Sequence, residues 1–170
     1  MSLKTLSVMV VIFILGLFRL LEWIPNVSPV AAMALFAGAH LNDRKLAFVI
    51  PLAALLLSDL LLGFHATMIY VYASFTIIVG IGLWLRQRRT LFNVTAAALV
   101  SSLLFFLITN MGVWLSSDLY PAGAEGLLQS YIAAIPFYRN TLIGDLLFTG
   151  LLFGGYSMLA GKVAPRLVNR

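Results

Sequence analysis

Ile81-Gly82-Leu83-Trp84-Leu85-Arg86-Gln87-Arg88-Arg89-Thr90-Leu91-Phe92 sets three arginines between two long apolar runs. One run extends from about Ala66 to Leu85, the other from about Leu91 to Leu115. A helix crossing the hydrocarbon core of a bilayer needs about 20 apolar residues. Both runs meet that length, and an arginine cluster between two spans reads as a cytoplasmic turn.

Working outward, the same punctuation recurs. Upstream, Gly63-Phe64-His65 closes a run from Lys45 to Leu62, and Asn42 or Asp43 can cap its start. Before that lies a short Ala/Gly-rich run, Val30 to Leu41, where Ala34 and Gly38 allow close helix contact. It reads as a short central helix. Ile24 to Pro29 is a turn in which Asn26 and Ser28 can cap. The first run, Leu6 to Leu21, follows Lys4 as a signal peptide would, but Arg19, Glu22 and Pro25 separate it from any cleavage-like Ala32/Ala34. It reads as an uncleaved span. Downstream, Ser116 to Gln129 is polar, Tyr131 to Tyr138 is apolar but interrupted by Pro136, and a last helix is expected from Arg139 to Leu159.

Composition agrees. Of 170 residues, 62% are hydrophobic and only 10% charged, too few charges to cover a water-soluble surface. The expectation is one domain, residues 1–170: an all-α integral membrane bundle of six transmembrane helices. There is no cysteine, which excludes disulfides, thiolate catalysis and Cys-ligated metal sites, and with two histidines no His-rich metal site is expected. The net charge of +5 raises nucleic acid as a partner. The placement of the charges argues for topology instead. Lys4, Arg44, Lys45, Arg86, Arg88, Arg89, Lys162, Arg166 and Arg170 fall on one side of a six-span arrangement, and the loops near Pro25, Phe64 and Pro121 hold no Lys or Arg. The positive-inside rule then sets both termini in the cytoplasm.

Under that topology Arg19, Glu22, Asn26, Ser28, Asp59, His65, Asn110, Trp114, Tyr131, Tyr138, Arg139, Asn140 and Asp145 share the outer half, above nearly aliphatic inner halves. Polar groups at membrane depth face a cavity or a partner. The expected substrate site is an outward pocket lined by Asn26, His65, Asn110, Trp114, Tyr131, Asn140 and Asp145, with Arg19, Asp59 and Arg139 in structural ion pairs. Asp145 itself is expected to be paired, with Arg19 or with Thr141 and Thr149 on its own helix face. Tyr70, Tyr72, Tyr120 and Phe137 at the same level read as an interfacial belt or a stacking wall. His40 reads as solvated, whereas His65 on its loop could ligate the metal centre of a corrinoid.

Pro51 before Ser58-Asp59…Gly63, and Pro136 before Gly144-Asp145…Gly150, form a faint internal echo of the kind inverted repeats leave. Two aspartates also raise intramembrane proteolysis, but Leu142-Ile143-Gly144-Asp145 lacks the first glycine of a Gly-x-Gly-Asp motif. No phosphate-binding loop is present. An enzyme is not expected, and neither is a cofactor. Gly150 and Gly154 suit helix packing.

Several stretches together carry a resemblance. They are Pro25-Asn26-Val27-Ser28-Pro29-Val30-Ala31-Ala32, Leu35-Phe36-Ala37-Gly38, Pro51-Leu52-Ala53-Ala54 with Ser58-Asp59 and Gly63-Phe64-His65, Phe105 to Asn110 with Trp114, and Tyr131 to Phe137 with Asn140-Thr141 and Gly144-Asp145. Over most of its length the chain resembles a family of small bacterial membrane proteins. In architecture it resembles the substrate-binding S-components of energy-coupling-factor (ECF) transporters. That resemblance implies six helices in a bacterial inner membrane, an outward pocket for a vitamin-like micronutrient, and an ECF energising module as partner. The first helix, Val8 to Gly16, lacks the Ala-x-x-x-Ala pattern that docks such a module. The departure points to solitary relatives, among them a cobalamin-binding group. The alternative is a membrane-embedded accessory subunit without transport activity.

Overall fold

In a computed structural model, residues 3–21 and 24–167 are described. Glu22, Arg170 and the side chains of Lys4, Lys162 and Arg166, named above, lie outside them. The described chain is all-helical: α1 (Leu3–Phe18), a 3-10 turn (Arg19–Leu21), α2 (Val30–His40), α3 (Arg44–Leu62), α4 (Met68–Leu85), α5 (Leu91–Ser116) and α6 (Ala124–Leu167). Four stretches are long and apolar enough to cross a bilayer, namely α3, α4, α5 and Ala124–Met158 of α6. They mark a membrane protein.

The short helix α2 is the axis of the bundle. It touches all five other helices, and every residue from Val30 to Ala39 is buried. Its composition explains the position: a helix of Ala, Gly and bulky apolar residues has no face that prefers lipid or water. Close approach to α4 depends on glycine. A Cβ on Gly38 would meet the Val79 carbonyl oxygen at 2.4 Å, and one on Gly82 would meet the Leu35 carbonyl oxygen at 2.4 Å. Eleven residues rise only about 16 Å, roughly half the hydrocarbon thickness. At its start the chain runs as irregular backbone, 24–29, against α6 at Gly144. A Cβ there would lie 3.2 Å from Ser28 N and Val27 Cα. Non-helical backbone at such depth is tolerated where protein buries it or where it lines a cavity. By contrast, the 16 residues of α1 with the three of the 3-10 turn rise about 30 Å together.

Basic turns gather at one end. Arg86, just past α4, donates from Nε to the Gly38 carbonyl at 3.0 Å and from Nη1 to Asn42 O at 3.1 Å, and Nη2 bonds the Leu41 carbonyl. A cation thus holds the carbonyl end of α2, where the helix dipole is negative. Asp43 caps α3 through Oδ1, which accepts from Lys45 N at 2.7 Å. His40 is not solvated as expected. Its half-buried ring lies tilted on Phe36 and edge-on to Phe153 and Tyr156, with centroids 4.2, 5.1 and 4.4 Å away. An apolar wall from α6, invisible in the local sequence, covers it.

The last helix also differs from expectation. Instead of beginning at Arg139 it runs unbroken from Ala124, through Pro136, for 44 residues. Proline removes one backbone hydrogen bond and crowds one carbonyl. Here the helix continues through Phe137 and Tyr138 all the same, with Ile132 to Ile135 before the proline and Leu142-Ile143 one turn and more beyond it. At about 66 Å it is roughly twice as long as the hydrocarbon core is thick.

Candidate functional site

At the end opposite the basic turns lies a cavity of about 180 Å³, lined by Arg19, Asn26, Ser28, Val30, Ala31, His65, Val71, Phe75, Phe105, Thr141 and Asp145. Its floor is apolar, from α2, α4 and α5. Its polar groups come from the 3-10 turn, the 24–29 segment, the α3–α4 loop and α6. Exposed Asn26 and His65 mark the mouth.

Arg19 is anchored on one edge. Nη1 donates to Ser58 Oγ at 3.0 Å and pairs with Asp59 Oδ1. Asp59 is 1% exposed, and its second oxygen accepts from Tyr72 Oη at 2.8 Å. Ser58 Oγ in turn donates to Leu55 O at 2.7 Å. Both oxygens of the buried Asp59 carboxylate are thus engaged, the condition under which a carboxylate at membrane depth stays charged and paired. Tyr72, expected in an interfacial belt or a stacking wall, donates its hydroxyl to this carboxylate. A guanidinium has five N–H donors. Those on Nε and Nη2 have no partner among the described residues, and Arg19 lines the cavity.

The start of α2 supplies a second positive feature. Neither Asn26 nor Ser28 caps it. Pro29 occupies the N-cap position, and no side chain bonds the first turn. Asn26 instead takes φ 64°, the left-handed conformation that asparagine tolerates, and so turns the chain at the cavity mouth. Val30 and Ala31, on the uncapped first turn, line the cavity. A helix N-terminus carries roughly half a positive charge and free N–H groups, which favour an anion.

Asp145 does not find the arginine expected for it, because Asp59 holds Arg19. It is 3% exposed, and its Oδ2 has no hydrogen-bond partner among the described residues. Asn26, His65 and Asp145 line this one cavity together with Arg19, which also keeps its expected ion pair with Asp59. His65 Nδ1 is 2.9 Å from Thr67 Oγ1.

The other expected lining residues lie elsewhere. Asn110 Nδ2 donates to Phe106 O at 2.7 Å and its carbonyl accepts from Ser130 Oγ at 3.1 Å. Tyr131 Oη donates to Leu107 O at 3.0 Å. Trp114 Nε1 donates to Pro121 O at 3.0 Å, and Asn140 Nδ2 to Pro25 O at 3.1 Å. Tyr131 and the Asn110 carbonyl join α5 to α6, Trp114 ties α5 to the loop that follows it, and Asn140 ties α6 to the 24–29 segment; none of the four lines the cavity. Arg139 is exposed, with no ion pair among the described residues.

Sequence reading passed over Ser101 and Ser102. Both are 0% exposed with unpartnered hydroxyls. Their signal was available: an adjacent polar pair inside a long apolar span is an intramembrane polar group in search of a partner.

The whole described chain falls in one family. It belongs to DUF6580, a family of unknown function, whose pattern matches residues 1–167. No curated protein and no solved structure matches it.

Proposed function

We propose that this DUF6580 protein is a multi-pass protein of a bacterial inner membrane that captures a small anionic organic nutrient from the outer face for uptake. Its architecture would be that of an S-component with six spans and both termini cytoplasmic. The observation that carries the reading is the Arg19 guanidinium, whose Nε and Nη2 donors have no partner among the described residues, beside the uncapped start of α2, both on one cavity. Together they offer fixed donors to a carboxylate or similar group, and the apolar floor suits a short hydrocarbon body. The arrangement parallels transporters whose broken helices aim N-termini at anionic substrates. Sidedness follows from the basic turns at the opposite end of the bundle.

The cavity volume limits the solute. About 180 Å³ is below the ~300–1,000 Å³ of pockets that envelop drug-sized ligands. A corrinoid exceeds it several-fold, so the nutrient is a smaller molecule of micronutrient class. The test is a thermal-shift panel of small carboxylates, zwitterions and neutral vitamins on the purified protein, followed by uptake into proteoliposomes. Saturable stabilisation by an anionic solute, weakened tenfold or more in Arg19→Lys, is the expected result. No stabilisation by any solute leaves the accessory-subunit reading.

A further inference from the structure

Beneath the cavity, buried side-chain oxygens on α5 and α6 find no hydrogen-bond partner among the described residues: Asp145 Oδ2, Thr149 Oγ1, Ser101 Oγ and Ser102 Oγ. Helix geometry gathers them. Thr149 follows Asp145 by four residues on α6, so they share a face. Ser101 and Ser102 precede the cavity-lining Phe105 by four and three residues on α5, one turn deeper on the side Phe105 presents. Helices α5 and α6 pack together, and the Ser102 hydroxyl approaches the Asp145 carboxylate without closing a hydrogen bond to Oδ2.

Buried polar groups are normally satisfied, and several unsatisfied ones in one place call for a missing partner. The donor set defines that partner. It is all oxygen, which suits a hard cation. It holds a single carboxylate, so a monovalent ion leaves the site neutral, whereas a divalent ion would leave an uncompensated charge at membrane depth. A proton would neutralise the carboxylate but leave the hydroxyl lone pairs unused. Asp145 lines the open cavity, which gives the ion a path in.

We infer that Asp145, Ser102 and Thr149, with Ser101 beside them, form a binding site for a monovalent metal cation, sodium or potassium, one helical turn below the outer cavity. Such a site beside a pocket for an anionic solute would couple solute binding to a cation gradient. The site stands without the nutrient and is tested without it.

The full-length protein, purified in detergent, is melted in sodium chloride, potassium chloride and choline chloride at equal ionic strength, and its binding of radiolabelled sodium is measured. Melting temperature should rise with one alkali cation and not with choline, as for any ligand that binds only the folded state. Ser102→Ala and Thr149→Val should each raise the half-saturating concentration tenfold or more, Thr149→Ser should restore it, and Asp145→Asn should abolish the response. Ser102→Ala removes only an unpartnered hydroxyl, so it keeps the fold if Asp145→Asn does not. Identical melting in all three salts, with no sodium bound, would overturn the site and mean that water alone fills it. That outcome leaves solute binding untouched, just as failure of the nutrient panel leaves the cation titration untouched.

Discussion

Gly38 of α2 and Gly82 of α4 meet backbone to backbone: a Cβ on Gly82 would stand 3.0 Å from the Gly38 Cα. No water-soluble surface or side-chain lock is needed where two helices approach this closely. Dispersion between the backbones and their flanking side chains holds the pair. The contact also seals the bundle below the cavity, because it occupies the half of α2 nearest the basic turns.

Gly82→Ala should therefore lower stability by about 1–3 kcal/mol, the usual cost of overpacking. Gly80→Ala, where a Cβ would meet nothing within 4 Å, should be neutral or slightly stabilising. Thermal unfolding of both variants in one detergent checks the contrast.

Arg86→Ala should release the three carbonyls that end α2 and destabilise by about 1–3 kcal/mol. Arg86→Lys should restore only part of this, since an ammonium cannot span three acceptors as a planar fork does. Gln87→Ala, at an exposed position, should stay within about 0.5 kcal/mol of the parent in the same unfolding measurement.

The two aspartates should answer in opposite ways to the same change. Asp59→Asn breaks a buried ion pair in which both carboxylate oxygens are engaged, and should cost about 3–5 kcal/mol. Tyr72→Phe, which removes one hydrogen bond to that carboxylate, should cost about 1 kcal/mol or slightly more. Asp145→Asn changes a buried carboxylate whose Oδ2 has no hydrogen-bond partner among the described residues, so the protein without ligand should be as stable as the parent or more so, while solute or cation binding is lost. Melting curves with and without added ligand separate the cases. A large loss of stability in Asp145→Asn alone would assign that residue to the scaffold.

Reporter fusions at Arg88 and Gly123 should appear on opposite sides of the membrane, with Arg88 cytoplasmic. Both on one side would end the six-span topology, and the outward reading of the cavity with it.

What the chain shows before folding, and what it hides, divides along the helix axis. Apolar run length and turn residues mark the helices and their order, and the charged turns mark the ends of the bundle. They also fix depth: Arg19, Asp59 and Asp145 could be placed at one level from residue counts alone. Pro136 misled because it was weighed as a break, when the residues around it carry the helix across. Direction around each axis is a different matter. In water an amphipathic stripe reveals which face turns inward. In these helices nearly every face is apolar, since lipid and core make the same demand, so the sequence carries no such stripe. Only packing decided that Asp59 takes Arg19, that Ser130 and Tyr131 of α6 donate to the Asn110 and Leu107 carbonyls of α5, and that Asp145, Ser101, Ser102 and Thr149 are left beneath the cavity with oxygens that find no partner among the described residues.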